Sequence, residues 1–173
     1  MRPTAPDPAD TKAWNAYLAE GNAKQARKRV AADVLLRDPS GRVLLVNPTY
    51  KPGWDLPGGM AEANEPPDDA VRRELMEELG VRVTLHGLLV VDWVAPHGPW
   101  DDQLAFIFDG GTVAQDQADR LRPRDDELSE AVFVTVAEAA GRLRDRIRRR
   151  FEHALKALGT GGPLYLRDGV PVM

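Results

Sequence analysis

Three glutamates, with an arginine beside them, have the types and spacing within a short stretch of this chain to hold a hard metal ion. From Gly59, five residues lead to Glu65, seven more lead to Arg73-Glu74-Leu75, one residue precedes Glu77-Glu78, and Gly80-Val81 closes the stretch. On an α-helix, residues three and four apart share a face, so Glu74, Glu77 and Glu78 would form one carboxylate cluster beside the apolar stripe. Such a cluster repels itself unless cations or donors compensate. Magnesium suits it, because this ion takes oxygen ligands and completes its shell with water and substrate phosphates; manganese is a second candidate. Arg73 lies four residues before Glu77, in reach to hold a carboxylate by a charge-assisted hydrogen bond. Gly58 and Gly59 allow a tight turn and could present a carbonyl to the same ion. Taken alone, the run from Arg72 to Glu78 also fits a solvated amphipathic helix with surface ion pairs.

The elements that must position these groups are readable from periodicity and punctuation. Prolines at its start, Asp68 and Asp69 in its first turn and Gly80 past its end predict a helix from about Pro67 to Leu79, with Ala70, Val71, Leu75 and Leu79 inward. Ahead of it, Val30 to Leu36 and Val43 to Val46 read as two buried strands joined by the turn Asp38-Pro39-Ser40-Gly41. Between strands and helix, Asn47 to Gly59 holds three prolines and three glycines and predicts a loop. Further strands are expected at Val81 to Leu85, Leu88 to Trp93, Leu104 to Phe108 and Ala131 to Val136. A helix is expected from Ala137 to Leu158, interrupted near Gly141, and Leu164 to Leu166 reads as a short final strand or tail. Before all this, three prolines within the first eight residues predict an extended or disordered lead-in. Asp10 would then cap a helix from about Thr11 towards Lys28 that buries Trp14, Tyr17 and Leu18 or serves as an appendage for dimer contacts. Strands before, between and after two helices indicate a mixed sheet flanked by helices, an α/β fold.

Composition narrows the function. The 173 residues suit a single domain, and 43% apolar content supplies a core. With no cysteine, disulfides, thiolate metal sites and cysteine nucleophiles are excluded. A net charge of −4 disfavours nucleic acid as the main partner and leaves a small phosphorylated ligand. No signal-peptide core and no apolar run of membrane-spanning length is visible, so the expected location is the cytoplasm.

The nine positions Gly59, Glu65, Arg73, Glu74, Leu75, Glu77, Glu78, Gly80 and Val81 resemble the Nudix box at every defined position, with unbroken spacing across 23 residues. The approach Trp54-Asp55-Leu56-Pro57-Gly58-Gly59, the two strands before it and the stretch Asp126-Glu127-Leu128 look like the same family. The resemblance implies a Nudix-type α/β/α sandwich over residues 29–158, with a tail and helical extension at 1–28 and a tail or short strand at 159–173. It also implies Mg2+-dependent hydrolysis of a diphosphate linkage. Glu74, Glu77, Glu78 and the Gly59 carbonyl would be the metal ligands, Arg73 the orienting cation, and Glu65 a structural support of the loop. The family places its general base variously; here Glu74, Glu127 and Glu130 are candidates, Glu127 and Glu130 also reading as ordinary strand-edge charges. A small nucleotide or another diphosphate would be the substrate, and a homodimer is compatible with the family and with the N-terminal helix.

The group attached to the diphosphate is less legible. Pro96, fifteen residues after Val81, resembles a marker of ADP-ribose-cleaving members and is equally a loop proline. Trp54, Trp93 and Trp100 could stack on a base or simply pack. A nucleotide sugar such as ADP-ribose and a canonical or oxidised nucleoside triphosphate are the expected substrates. A non-nucleotide diphosphate, or a regulator that senses a ligand without turnover, are the alternatives. The run Arg142 to Arg150 reads first as the solvated face of a helix with Leu143 and Ile147 inward, and otherwise as an anion or RNA contact.

Overall fold

A computed structural model describes residues 4–172; Met1, Arg2 and Pro3 of the expected lead-in lie outside them. Its centre is a mixed eight-stranded sheet formed by β1 (Arg29–Arg37), β2 (Val43–Pro48), β3 (Gly58–Met60), β4 (Gly87–Val94), β5 (Gln103–Thr112), β6 (Leu128–Val134), β7 (Leu164–Arg167) and β8 (Val170–Pro171). The order is β6-β2-β1-β5-β4-β7-β8, with β3 also on β1. β1 pairs parallel to β5 over most of its length. On its other side β1 meets β2 only at Arg37 and Val43, whereas Ala31 to Asp33 pair antiparallel with β3. β1 and β2 therefore diverge, and the loop between β2 and β3 fills the wedge. Val46 and Asp55 exchange backbone hydrogen bonds of 3.0 and 2.9 Å, and the Val34 amide donates to the Pro57 carbonyl at 2.9 Å. This pairing fixes Gly58 and Gly59 at the mouth of the wedge. Gly58 has φ +142°, and a Cβ there would run into the Ala32 carbonyl, so the strand approach requires glycine.

Helices cover both faces. Ala32, Val34 and Leu36 of β1 pack with Ala70, Val71, Leu75 and Leu79 on one side. Leu35, with Val90 and Ile107, packs on the other against Phe151, Ala154 and Ala157. The two-residue period of the strand thus feeds two cores and gives the α/β/α sandwich that the sequence implies. Phe151 is fully buried; removing such a side chain from water contributes about 1.5–3 kcal/mol.

Several elements differ from the sequence expectation. The helix α1 (Thr11–Ala23), capped by Asp10, has no buried residue, and Tyr17 and Leu18 are exposed, so it does not bury Trp14, Tyr17 and Leu18 as expected. The helix carrying the glutamates is α-helical only over α2 (Pro67–Glu74); Leu75–Leu79 is a π turn. Residues 81–86 form no strand. A short helix, α3 (Gln115–Arg120), precedes β6. The expected long helix is two, α4 (Val136–Arg142) and α5 (Asp145–Thr160), and the break is at Leu143-Arg144 rather than at Gly141. Leu143 is buried, which pins the break in the core. Thr135 and Glu138 form a capping box that starts α4. Among the described residues, no helix is long and apolar enough to cross a membrane.

Candidate active site

Arg73 is the organising cation. Its Nε and Nη2 donate to Glu65 at 2.9 and 3.0 Å, its Nη1 to Glu74 at 3.0 Å and Glu77 at 3.1 Å, and its Nη2 also to the Met60 carbonyl at 3.1 Å. One guanidinium therefore ties the β3 strand, the loop after it and the glutamate helix together, using its fork of donors. Glu65 also accepts from the Glu62 amide at 2.8 Å. Hydrogen bonds from Arg73 hold its carboxyl down to about 2.

The π turn sets where the remaining glutamates point. The Gly80 amide reaches back to the Leu75 and Met76 carbonyls, and Gly80 closes the turn at φ 66°. The widened turn keeps Leu75 and Leu79 in the core and turns Glu78 inward, where it is 4% exposed. Such single π turns inside helices often mark functional sites. Glu77 stays outside, its side chain 57% exposed. The Arg124 amide donates to the Glu78 carbonyl at 2.8 Å, and the Thr49 amide to the Glu127 carbonyl at 2.8 Å. These bonds bring the loop before β6 over the turn. Burial, then the charges of Glu74, Asp125 and Glu127, push Glu78 up to about 8. Burial likewise raises Glu74.

These residues fit a hard divalent cation. The Oε2 of Glu78 is buried without a hydrogen-bond partner, an arrangement that is costly unless a cation or donor meets it. A Cβ on Gly59 would lie 2.5 Å from the Glu74 carboxyl, so any larger residue there would push that carboxyl aside. All the donors offered are oxygens, as such a cation prefers. Among the described residues, no three acidic or histidine side chains are gathered tightly enough as they stand to hold one ion. Glu74 and Glu77 both turn towards Arg73 instead.

Glu78 borders a cavity of about 710 Å³ between the β1–β2 wedge and the start of α5. Asp33, Lys51, Asp55, Gly59, Glu78 and Trp100 are among its walls. Lys51 pairs with Asp55 at 2.5 Å. Asp33 stands mid-strand on β1, where burial and then the Asp55 charge push its carboxyl up to about 7.

Of the substrate-contact candidates, only Trp100 lines this cavity, 55% exposed and with Arg29 stacked 4.6 Å from its ring centroid. Trp54 is partly buried against the core that includes Phe151, with Arg142 over its ring at 4.9 Å. Trp93 donates its indole N–H to Asp102 at 2.8 Å. Pro96 is exposed on the loop after β4. The two candidate bases outside the glutamate helix separate: the charge of Glu127 reaches Glu74 and Glu78, whereas Glu130 on β6 is 3.4 Å from Asn47 and faces a different cleft, with Arg42 and Leu121. Asp33 and Lys51 escaped the sequence reading, and Asp55 entered it only as part of the approach to Gly58 and Gly59. An acidic residue inside the apolar run Val30 to Leu36 was the available signal.

A model of the NUDIX domain matches residues 27–155. The chain belongs to the NUDIX family. Over 57 residues it is 40% identical to a MutT-like protein of Streptomyces ambofaciens, a match covering 33% of this chain and 36% of that protein. Over 36 residues it is 53% identical to an 8-oxo-dGTP diphosphatase of Proteus vulgaris, covering 21% of this chain and 32% of that one. This NUDIX chain thus aligns with well under two thirds of the length of the curated relatives it matches. Its fold is that of a MutT protein from Methanosarcina mazei, with a TM-score of 0.64 at 24% identity over 76% of this chain and 97% of that chain. A UDP-X diphosphatase structure aligns with a TM-score of 0.66 at 16% identity over 93% and 75% of the two chains.

Proposed function

We propose that this NUDIX protein hydrolyses the diphosphate linkage of a nucleoside diphosphate joined to a further group, a nucleoside triphosphate, ordinary or oxidised, or a nucleotide sugar such as ADP-ribose. The observation that carries this reading is the buried, unpartnered Glu78 oxygen, beside Glu74 and Gly59, at the edge of a nucleotide-sized cavity. Glu74, Glu77, Glu78 and the Gly59 carbonyl would hold Mg2+, or Mn2+ in its place. That ion would neutralise the diphosphate and make an attacking water a stronger nucleophile. Arg73 orients Glu74 and Glu77 and, through Glu65, fixes the loop that presents Gly59. Glu74 or Glu127 accepts the proton from the water; Glu127 is the better placed for this if Glu74 is committed to the ion, since no hydrogen bond occupies its carboxylate among the described residues. Lys51 offers a cation to the phosphates, and the free face of Trp100 offers a base a stacking surface.

A magnesium-dependent screen tests this, covering ADP-ribose, nucleotide sugars, dinucleoside polyphosphates, ordinary and oxidised nucleoside triphosphates and prenyl diphosphates, with Glu78→Gln as the blank. One preferred compound, cleaved at phosphorus in the wild type and not in the blank, is the expected result. Binding of a nucleotide diphosphate without turnover in magnesium or manganese would replace the hydrolase by a ligand sensor.

A further inference from the structure

The basic run Arg142 to Arg150 is divided among different tasks. Arg142 stacks on Trp54. Arg148 pairs with Asp145 at 3.0 Å and approaches Glu152 at 4.0 Å. The Arg149 stem lies close over Gly169. Arg150 also reaches the wall of the cavity that holds Glu78, but it is buried and bonded to Asp92 at 2.9 Å. Arg144 and Arg146 differ from all of these. Both line the same cavity as Glu78, and among the described residues neither has a carboxylate within 3.5 Å. The nearest to Arg144 is Asp55, 3.9 Å away and already engaged by Lys51 at 2.5 Å. Arg146 meets only the ring nitrogen Nε2 of His97, at 3.3 Å, among the described residues.

Two guanidiniums facing one cavity repel each other and offer forked donors suited to phosphate oxygens. We propose that Arg144 and Arg146 form an anion subsite that determines specificity, taking a phosphate beyond the diphosphate that is cleaved. The favoured substrate then carries an additional phosphate after that linkage, as nucleoside triphosphates and dinucleoside polyphosphates do, in preference to an uncharged sugar. This assignment rests on the hydrolase reading above and adds the chemistry of the remote group. The nucleotide sugar would bind the same cleft without using these arginines.

The test compares the full chain with Arg144→Gln, Arg146→Gln and the double variant in magnesium, using a nucleoside triphosphate, a dinucleoside tetraphosphate and ADP-ribose. Arg148→Gln, whose side chain is engaged on α5 itself, is the control. For the double variant the expected result is a rise of about tenfold or more in KM for at least one of the polyphosphates, with kcat within about twofold and ADP-ribose kinetics unchanged. The polyphosphate that responds identifies which source of the extra phosphate the subsite takes. Equal losses on all three substrates, or an unchanged KM throughout, overturn the subsite. If the wild type turns over none of them, the hydrolase reading fails by itself. Calorimetric titration with inorganic tripolyphosphate then decides the subsite alone: about tenfold weaker binding in the double variant upholds it, and equal binding overturns it.

Discussion

Arg73 and the arginine pair at the start of α5 serve the same site but are wired differently: Arg144 and Arg146 line the cleft beside Glu78, whereas Arg73 is bonded among the glutamates. Arg73 spends its donors on Glu65, Glu74, Glu77 and the Met60 carbonyl, so the loop and helix that present the glutamates are fixed before any ligand arrives. Arg144 and Arg146 leave most of their donors to solvent and cavity. Preorganisation suits the side where bond breaking needs fixed charges, because groups already in place need no reorganisation during the reaction. Adaptable cations suit the side that must accept different remote groups. Arg150, only four residues beyond Arg146, belongs to neither set. It is buried against Asp92, which also accepts from the Gly169 amide at 3.0 Å, and it fastens α5 to β4.

The comparison breaks most sharply at the glutamates. Glu78→Gln is expected to lower kcat in magnesium about a thousandfold or more, with little change in the thermal midpoint, since it removes ligand charge from a preorganised site; wild-type turnover in the variant would remove Glu78 from the site. Arg150→Met should do the opposite. It leaves Asp92 buried and unpaired, at a cost of about 3–5 kcal/mol, read from urea denaturation, and KM should change little at concentrations where the variant is folded. Gly59→Ala should reduce kcat by about 10–100-fold, because the new methyl group displaces the Glu74 carboxylate. A loss of folding instead, seen by circular dichroism, would mean that the position is purely structural.

The smallest effect lies in the acid limb of the stability curve. Glu65 has an ordinary value of 4.5 and is held down to about 2 in the folded protein by Arg73. A lowered folded value contributes stability that is present above pH 4.5 and is lost as the pH falls from about 4.5 to about 2. Denaturation midpoints across that window should therefore fall less steeply in Arg73→Gln than in the wild type. Identical slopes would mean that the Arg73–Glu65 bonds do not persist in solution.

The preorganised side of the cleft was the legible one. Its residues are close in sequence, and helical spacing plus the intervals from Gly59 and Glu65 define them without tertiary information. The apolar runs of β1 and β2 and the glycine after Leu79 were equally plain. The arginine side is assembled from distant segments, Lys51, Trp100 and Arg144 among them, which no local period connects. Asp33 left a trace, a carboxylate within an apolar strand, but only the wedge beside β3 explains why an acid stands there. Local signals also overstated regularity. Ala137 to Leu158 has helical composition throughout, yet the burial of Leu143 breaks it in two, and the apolar alternation of Val81, Val83 and Leu85 packs against the α2 core without joining the sheet. For α1, the apolar residues Trp14, Tyr17 and Leu18 suggested a buried face that the fold does not supply.

The π turn has a consequence for how such a site can change. A helix holding one residue more than its turns need can lose one and remain continuous as an ordinary α-helix. Deleting Met76 would leave Leu75 and Gly80 at the two ends, while Glu78 would stand three positions after Glu74 instead of four. The acidic pair would be re-aimed with no glutamate replaced. Leu75–Leu79 is thus a segment where an edit of length, more than of identity, retunes the chemistry.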